Sequence, residues 1–395
     1  MRETGIQYSY LLIAIFSFAF PNTSAVTNNF IDDSNCEIQG SKSDFPVDYA
    51  ASTVLDSLSP DKSLLLDSVF NPRVLASYVA FLSSDSMKGR LTGTAESVKA
   101  AEFIGITFEN AGLQPLPDLK SYYMAFRLNS IPNSIVGKNS LGYNVVGVLP
   151  GKTRPKEVVI FSAHFDHLGY ESKVLYQLPA DRSTEKGDTI YNGANDNASG
   201  VAGLMALANY FSVLNNNERT IVFVAFSGEE FGLLGSKAFQ RIIRPSQIKA
   251  VMNLEMIGRT IYGQAQPFIT GSKYSDLRKL LNEHLQKTDL TKYGISYFDS
   301  DVNMDIQYFH RSDNFPFVVN GVPAHTIMLG TDNDPHYHSV QDEAETLNFR
   351  MMSDILKALA LGSEEIIMAK VTPRRIDTRT INHLRDPLTD PLRNF

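Results

Sequence analysis

The sequence predicts an α/β protein: a three-layer αβα sandwich on a central mixed, mostly parallel sheet. Three observations point there. Segments 144–149, 158–164, 220–226, 251–256, 268–271 and 326–329 are short, mainly apolar runs, the pattern of strands covered on both faces. Between them, 198–214, 231–243, 273–288 and 349–369 space their apolar residues three to four apart, as helices do when one stripe packs inward. The chain's 395 residues, 43% of them hydrophobic, suffice for a large core.

Taken in order, residues 1–25 combine Arg2, an apolar run from Tyr10 to Phe20 and a small-residue end at Ala25. This is the make-up of an export signal cleaved after Ala25, since a spanning helix needs about 20 apolar residues. Residues 26–72 are rich in Asn, Asp and Ser and read as a loosely attached N-terminal arm, with a short helix near 50–58. A single domain is expected over 73–370. Its first helix, 95–112, sets Val98, Ala101, Ile104, Phe108 and Ala111 on one side and stops at Gly112. In 198–214 the stripe of Val201, Leu204, Met205 and Ala208 is core packing. Periodicity is lost from Val371, so 371–395 reads as a tail lying on the surface.

Composition excludes several classes of function. With 36 basic against 43 acidic residues, the net charge of −7 argues against a sequence-independent nucleic-acid binder. The single cysteine, Cys36, cannot form an internal disulfide or a cysteine-rich zinc module. Any metal site must therefore use His, Asp and Glu. No Gly-x-Ser-x-Gly elbow supports serine-hydrolase chemistry.

In an open α/β sheet the loops after the strands' carboxyl ends reach a shared crevice, and there the polar clusters fall. The run 158–163 ends in His164-Phe-Asp166-His167; a carboxylate two residues from a histidine can accept the imidazole's second N–H and fix its tautomer. Asp196 lies in Gly193-Ala-Asn-Asp-Asn-Ala-Ser-Gly200 before an apolar helix, where an acid serves either as an N-cap or as a bridge between two cations. Glu229 and Glu230 follow 220–226. They suit a solvated helix start, or, because adjacent side chains diverge, one metal ligand and one group facing a substrate. Glu255 interrupts an apolar run, and a buried carboxylate requires a strong partner. In Asp334-Pro-His-Tyr-His-Ser339, His336 and His338 compete for one role. Each cluster alone has an ordinary explanation, but together they form a set of carboxylates and two imidazoles. That set favours Zn²⁺, with Mn²⁺ or Co²⁺ as substitutes, over Ca²⁺ or Mg²⁺. Five ligands with one shared acid would fill two sites about 3.5–4 Å apart.

These clusters, with Leu82–Thr94 and Tyr337-His338-Ser339, resemble the M28 family of zinc aminopeptidases over about 82–347. The resemblance implies a zinc-exopeptidase-like fold over 73–370 and an exopeptidase that hydrolyses N-terminal peptide bonds with two Zn²⁺ ions. It implies that Asp196 bridges them, that His164 and Glu255 complete one site, and that Glu230 and His338 complete the other. Glu229 would be the general base and Asp166 the partner of His164. A cis peptide is implied at Asp196–Asn197. Glu255 stands where the family usually has Asp, and Asn195 where Asp is frequent. The alternatives are a single-zinc glutaminyl-cyclase-like acyltransferase, whose family carries Trp in its pocket where this chain has none, and a non-catalytic binding protein on the same scaffold. Expected partners are peptides or proteins with free N-termini, without nucleic acid or stable membrane insertion, in a secreted or periplasmic setting.

Overall fold

The computed structural model describes residues 62–131, 133–137, 139–170, 187–260, 266–288, 298–301 and 306–385. The expected export signal, the helix near 50–58 and the end of the tail lie outside them. The described chain begins with α1 (Lys62–Val69) and α2 (Pro72–Leu82). Asn71 caps α2 by accepting the Arg73 N–H at 2.9 Å, and Pro72 occupies the first helical position, where no amide is required. A 3₁₀ stretch, Asp85–Arg90, leads to α3 (Ala95–Asn110), capped by the Thr94 hydroxyl. Then come β1 (Tyr123–Arg127), α4 (Asn133–Val136), β2 (Leu141–Leu149), β3 (Arg154–His164), β4 (Gly169–Tyr170), β5 (Ile190–Tyr191) and α5 (Gly200–Leu214). The rest is β6 (Arg219–Phe226), α6 (Leu234–Phe239), β7 (Ile248–Glu255), β8 (Phe268–Ile269), α7 (Leu277–Leu285), β9 (Asp299–Ser300), α8 (Phe315–Val318), β10 (Ala324–Met328), α9 (Phe349–Gly362) and α10 (Glu364–Ile367).

The main sheet has the order β1-β2-β6-β3-β7-β10-β8-β9. Its four central strands, β6, β3, β7 and β10, are mutually parallel, with Phe161 of β3 opposite Phe223 of β6 and Met252 of β7. Antiparallel pairings occur at β1–β2, β2–β6 and β10–β8. Successive side chains alternate between two cores, which explains why these strands read as continuous apolar runs. Val159, Phe161, Ala163, Phe223 and Met252 face the layer of α2, α3, α5 and α9. Val158, Ile160, Val222, Val224 and Val251 face α6, α8 and the tail residues Ile376, Ile381 and Leu384. Because the central strands run the same way, His164, Phe226, Glu255 and Met328 end them at one edge.

The structure differs from expectation in places that periodicity does not encode. Residues 62–72, expected in the arm, join the core. Leu65, Leu66 and Phe70 are buried, and the Phe70 ring lies 5.3 Å from that of Tyr210 in α5. An eight-residue helix is too short to announce itself by pattern. The helix expected at 231–243 narrows to α6 because Gly232 and Leu233 take left-handed φ of 88° and 61°. That expected at 349–369 divides at Ser363 into α9 and α10. Among the described residues, no helix is long and apolar enough to cross a membrane.

Phe161 is fully buried and stacks on Phe211 and Phe223 at 5.5 and 5.8 Å. Phe161→Ala is therefore expected to lower the unfolding free energy by about 3–5 kcal/mol, measured by denaturant titration; a loss below about 1 kcal/mol would contradict this packing.

Candidate metal centre

The site begins where β3 stops. His164 is buried, and its Nδ1 lies 3.2 Å from the main-chain oxygen of Asp166. A carbonyl can only accept, so Nδ1 carries a proton, and Nε2 is the nitrogen turned to the crevice. The Asp166 carboxylate, expected to take that N–H, is farther away at 3.9 Å, and instead accepts the main-chain N–H of Glu229 at 3.2 Å. Asp166 thus joins the ends of β3 and β6.

Asp196 sits on the turn before α5, and the Asp196–Asn197 peptide is cis. The turn is pinned to the end of β7 by Asn197, whose Nδ2 donates to Leu254 O at 2.9 Å and whose Oδ1 accepts the Met256 N–H at 3.2 Å. Gly193 has φ +58°, and a Cβ there would strike the His167 ring and the Asp196 carbonyl. Asp196 Oδ1 faces His164 Nε2 at 3.3 Å, while Oδ2 faces His338 Nε2 at 3.2 Å. His338 Nε2 also lies 3.3 Å from Glu230 Oε2. Of the two histidines left open by spacing, His338 turns its ring toward both acids, whereas the His336 main chain donates to Asp334 Oδ1 at 2.9 Å. His338 and Met256 both hold left-handed φ near 51° and 50°, a conformation costing non-glycine residues about 1–3 kcal/mol and common at functional sites.

Ligand atoms of His164, Asp196 and Glu230 all lie within 4.8 Å of one another. Glu229 and Glu255 line the same cleft. Glu255 lies outside that tight set, and its Oε2 is buried without a hydrogen-bond partner, as are the Nε2 atoms of His164 and His338. The cleft measures about 410 Å³ including its open mouth, with Met256, Tyr308, Met328, Arg311, Asp332 and Tyr337 as its further walls.

The electrostatics show what these groups require. Burial pushes the Glu229 carboxyl well up, reinforced by Glu255 and Glu230. Burial raises Glu255 to about 7, with Asp196 adding to the effect, and Asp166 to about 6. At Asp196 burial is outweighed by the facing imidazoles of His164 and His338, so its carboxyl falls well below the usual range. Glu230, where burial is outweighed chiefly by His338, falls to about 2. His338, which burial would lower, is lifted to about 10 by Glu230 and Asp196. Protons thus occupy positions where divalent cations would neutralise the same carboxylates. Imidazole nitrogens and carboxylate oxygens converging in a buried crevice fit Zn²⁺.

Three supporting residues escaped the sequence reading. His167 is fully buried, and its Nδ1 bonds Glu230 Oε1 at 2.9 Å, leaving Oε2 toward His338; its place beside Asp166 was the available signal. Asp313 is buried with Oδ1 accepting the Ser236 hydroxyl at 2.5 Å, and burial raises it to about 7. Arg90 is fully buried without a carboxylate contact. Its guanidinium donates to the carbonyls of Phe165, Leu82, Asn192 and Gly193 at 2.6–3.0 Å, joining the loop of His164 to that of Asp196. Gly89 permits this approach, since at φ +65° its Cβ would strike the carbonyls of Gly169 and Tyr191.

A model of peptidase family M28 matches residues 144–361. A probable leucine aminopeptidase of Trichophyton verrucosum is 30% identical over 230 residues, 55% of this chain and 55% of that protein. The chain thus spans about half the length of the curated relatives it matches. Among solved structures, BSAP, a zinc aminopeptidase from Bacillus subtilis, aligns with a TM-score of 0.55 at 15% identity, over 75% of this chain and 95% of that one. Porphyromonas gingivalis glutaminyl cyclase aligns with a TM-score of 0.58 at 16% identity, over 76% and 99%. At these identities the likeness is one of fold.

Zinc added to metal-free protein near neutral pH is expected to release protons, because imidazoles and carboxylates must give up theirs to ligate. Affinity should accordingly rise with pH through neutrality. A pH indicator in weak buffer reads the release, and zinc uptake without it would exclude these groups as ligands.

Proposed function

The chain belongs to peptidase family M28, and on that premise we propose that it is an exported, zinc-dependent aminopeptidase acting on peptides with free N-termini. One observation carries the reading: the two oxygens of Asp196 face different imidazoles, Oδ1 toward His164 at 3.3 Å and Oδ2 toward His338 at 3.2 Å. A carboxylate so placed suits a bridge between two cations. His164 and Glu255 would complete one position, and Glu230 and His338 the other. Two Zn²⁺ ions, or Mn²⁺ or Co²⁺ in their place, would supply a water that ionises near neutral pH and a charge polarising the scissile carbonyl. This arrangement also favours hydrolysis over single-zinc cyclisation, since it occupies both histidine positions.

Glu229 is the general base in this reading. Its main chain is anchored on Asp166 at 3.2 Å and its carboxyl group lines the cleft. It takes a proton from water as the oxygen bonds to the carbonyl carbon, then returns that proton to the leaving amine nitrogen as the C–N bond breaks. Asp166 holds Glu229 and, through its own carbonyl, the tautomer of His164. Met256, Met328 and Tyr308 offer an apolar wall for the first side chain of the peptide. The charged start, apolar run and small-residue end of 1–25 support export to the periplasm or the medium.

Glu229→Gln is expected to retain the metal content of the wild type and lose activity on leucine p-nitroanilide by about 10²–10⁴-fold; near-normal turnover would remove Glu229 as the base. Glu255→Ala should lose one of two bound metal equivalents by elemental analysis, and retention of both would remove it from the ligand set. Cyclisation of an N-terminal glutamine peptide without anilide hydrolysis would favour the cyclase instead.

A further inference from the structure

We propose that Asn195, Arg259, Asp334 and Asp342 form a bracket that positions the main chain of Asp196 for metal binding, and that an amide at 195, not a carboxylate, lets it close. This rests on Asp196 being a metal ligand. Asn195, Asp334 and Asp342 are fully buried, and the Arg259 side chain is 12% exposed.

Asp342 acts on the backbone. Its carboxylate accepts the N–H groups of Asn195 and Asp196 at 3.0 Å, and its carbonyl accepts that of Ala194 at 2.9 Å. Three consecutive amides ending at Asp196 are thus anchored on one residue. Arg259 joins the two acids, with Nε donating to Asp334 Oδ2 at 2.7 Å and Nη2 to Asp342 Oδ1 at 2.8 Å. At the outer edge Arg259 Nη1 also bonds the Thr346 hydroxyl. Asn195 closes the ring: its Nδ2 donates to Asp334 Oδ2 at 3.3 Å, and its Oδ1 accepts the Gly258 N–H at 2.9 Å.

Donors and acceptors match only with an amide at 195. Asp334 Oδ2 receives hydrogens from Arg259 and Asn195, and its Oδ1 receives the His336 N–H at 2.9 Å. A carboxylate at 195 has no hydrogen to give, and would set oxygen against oxygen where water does not reach. Glycine at 258 and 330 gives the amide its close seat, since a Cβ at either would sit 3.0–3.1 Å from it. Strain at 195 must pass to the adjoining Asp196. The four residues are positioning residues, since their polar groups are spent on one another and on the backbone.

The test is the zinc dissociation constant of the full chain, measured by competition with a chromophoric chelator, in a cycle of Asn195→Asp, Asp334→Asn and the pair. Asn195→Asp alone is expected to weaken zinc binding about 10–100-fold and to lower the apo thermal midpoint, since the opposed carboxylates are buried. Added to Asp334→Asn it should cost less than about threefold more, because the opposing carboxylate is gone. Wild-type affinity in Asn195→Asp, or additive losses in the pair, overturns the bracket. Arg259→Gln, at the exposed edge, should lose about tenfold and serves if the buried variants do not fold; unchanged affinity there overturns it too. A wild-type protein that takes up no zinc overturns the metal reading itself, and is distinguishable from a zinc-binding wild type with additive losses.

Discussion

Asp166, Asp196, Glu229, Glu230 and Glu255 are drawn together where water is scarce, and the cost of burying their charges, added to by repulsion among several of them, is the constraint around which the site is arranged. Such carboxylates stay charged only beside a cation or a good donor, and otherwise hold protons. The structure contains both outcomes: Asp196 and Glu230, within reach of imidazoles, are driven down, while Glu229 and Glu255 are driven up. A crevice of this kind gains free energy from divalent cations and makes ligation dependent on proton release.

Parallel strands bring the charges together. Since β6, β3, β7 and β10 run in one direction, their ends meet at one edge although His164 and Met328 are far apart in sequence. Two arginines, Arg90 buried and Arg259 partly exposed, then stabilise the loops. Arg90 holds carbonyls of the His164 and Asp196 loops, and Arg259 holds the two carboxylates behind Asp196. Neither touches the candidate ligands directly. Their positive charge keeps the backbone of an acidic site from separating.

Much of this was legible in the sequence. The six runs correspond to strands because burial on both faces demands apolar residues at consecutive positions, and the clusters 164–167 and 229–230 stand out as polar groups at or just past the ends of such runs, Glu255 as an acid within one. The choice between His336 and His338 was open to spacing, since both lie in one loop, and only the fold shows that the His338 ring faces Asp196. α1 and β1 were not legible, being short elements whose stability comes from neighbours distant in the chain.

The sequence by itself determined the residue types: a disulfide-free, acidic chain with enough apolar runs for a two-faced sheet, and His, Asp and Glu at the ends of those runs. The tertiary structure alone decided which atoms meet. It turned His164 Nε2 and His338 Nε2 to opposite oxygens of Asp196, gave His167 to Glu230, and moved the His164 N–H to a carbonyl in place of the expected carboxylate. Local pattern records which face a residue occupies, whereas hydrogen-bond partners a hundred residues apart depend on how the loops close over the strand ends. The Arg90 bond to Gly193 and the Asp342 bond to Asp196 span such distances, and no periodicity contains them.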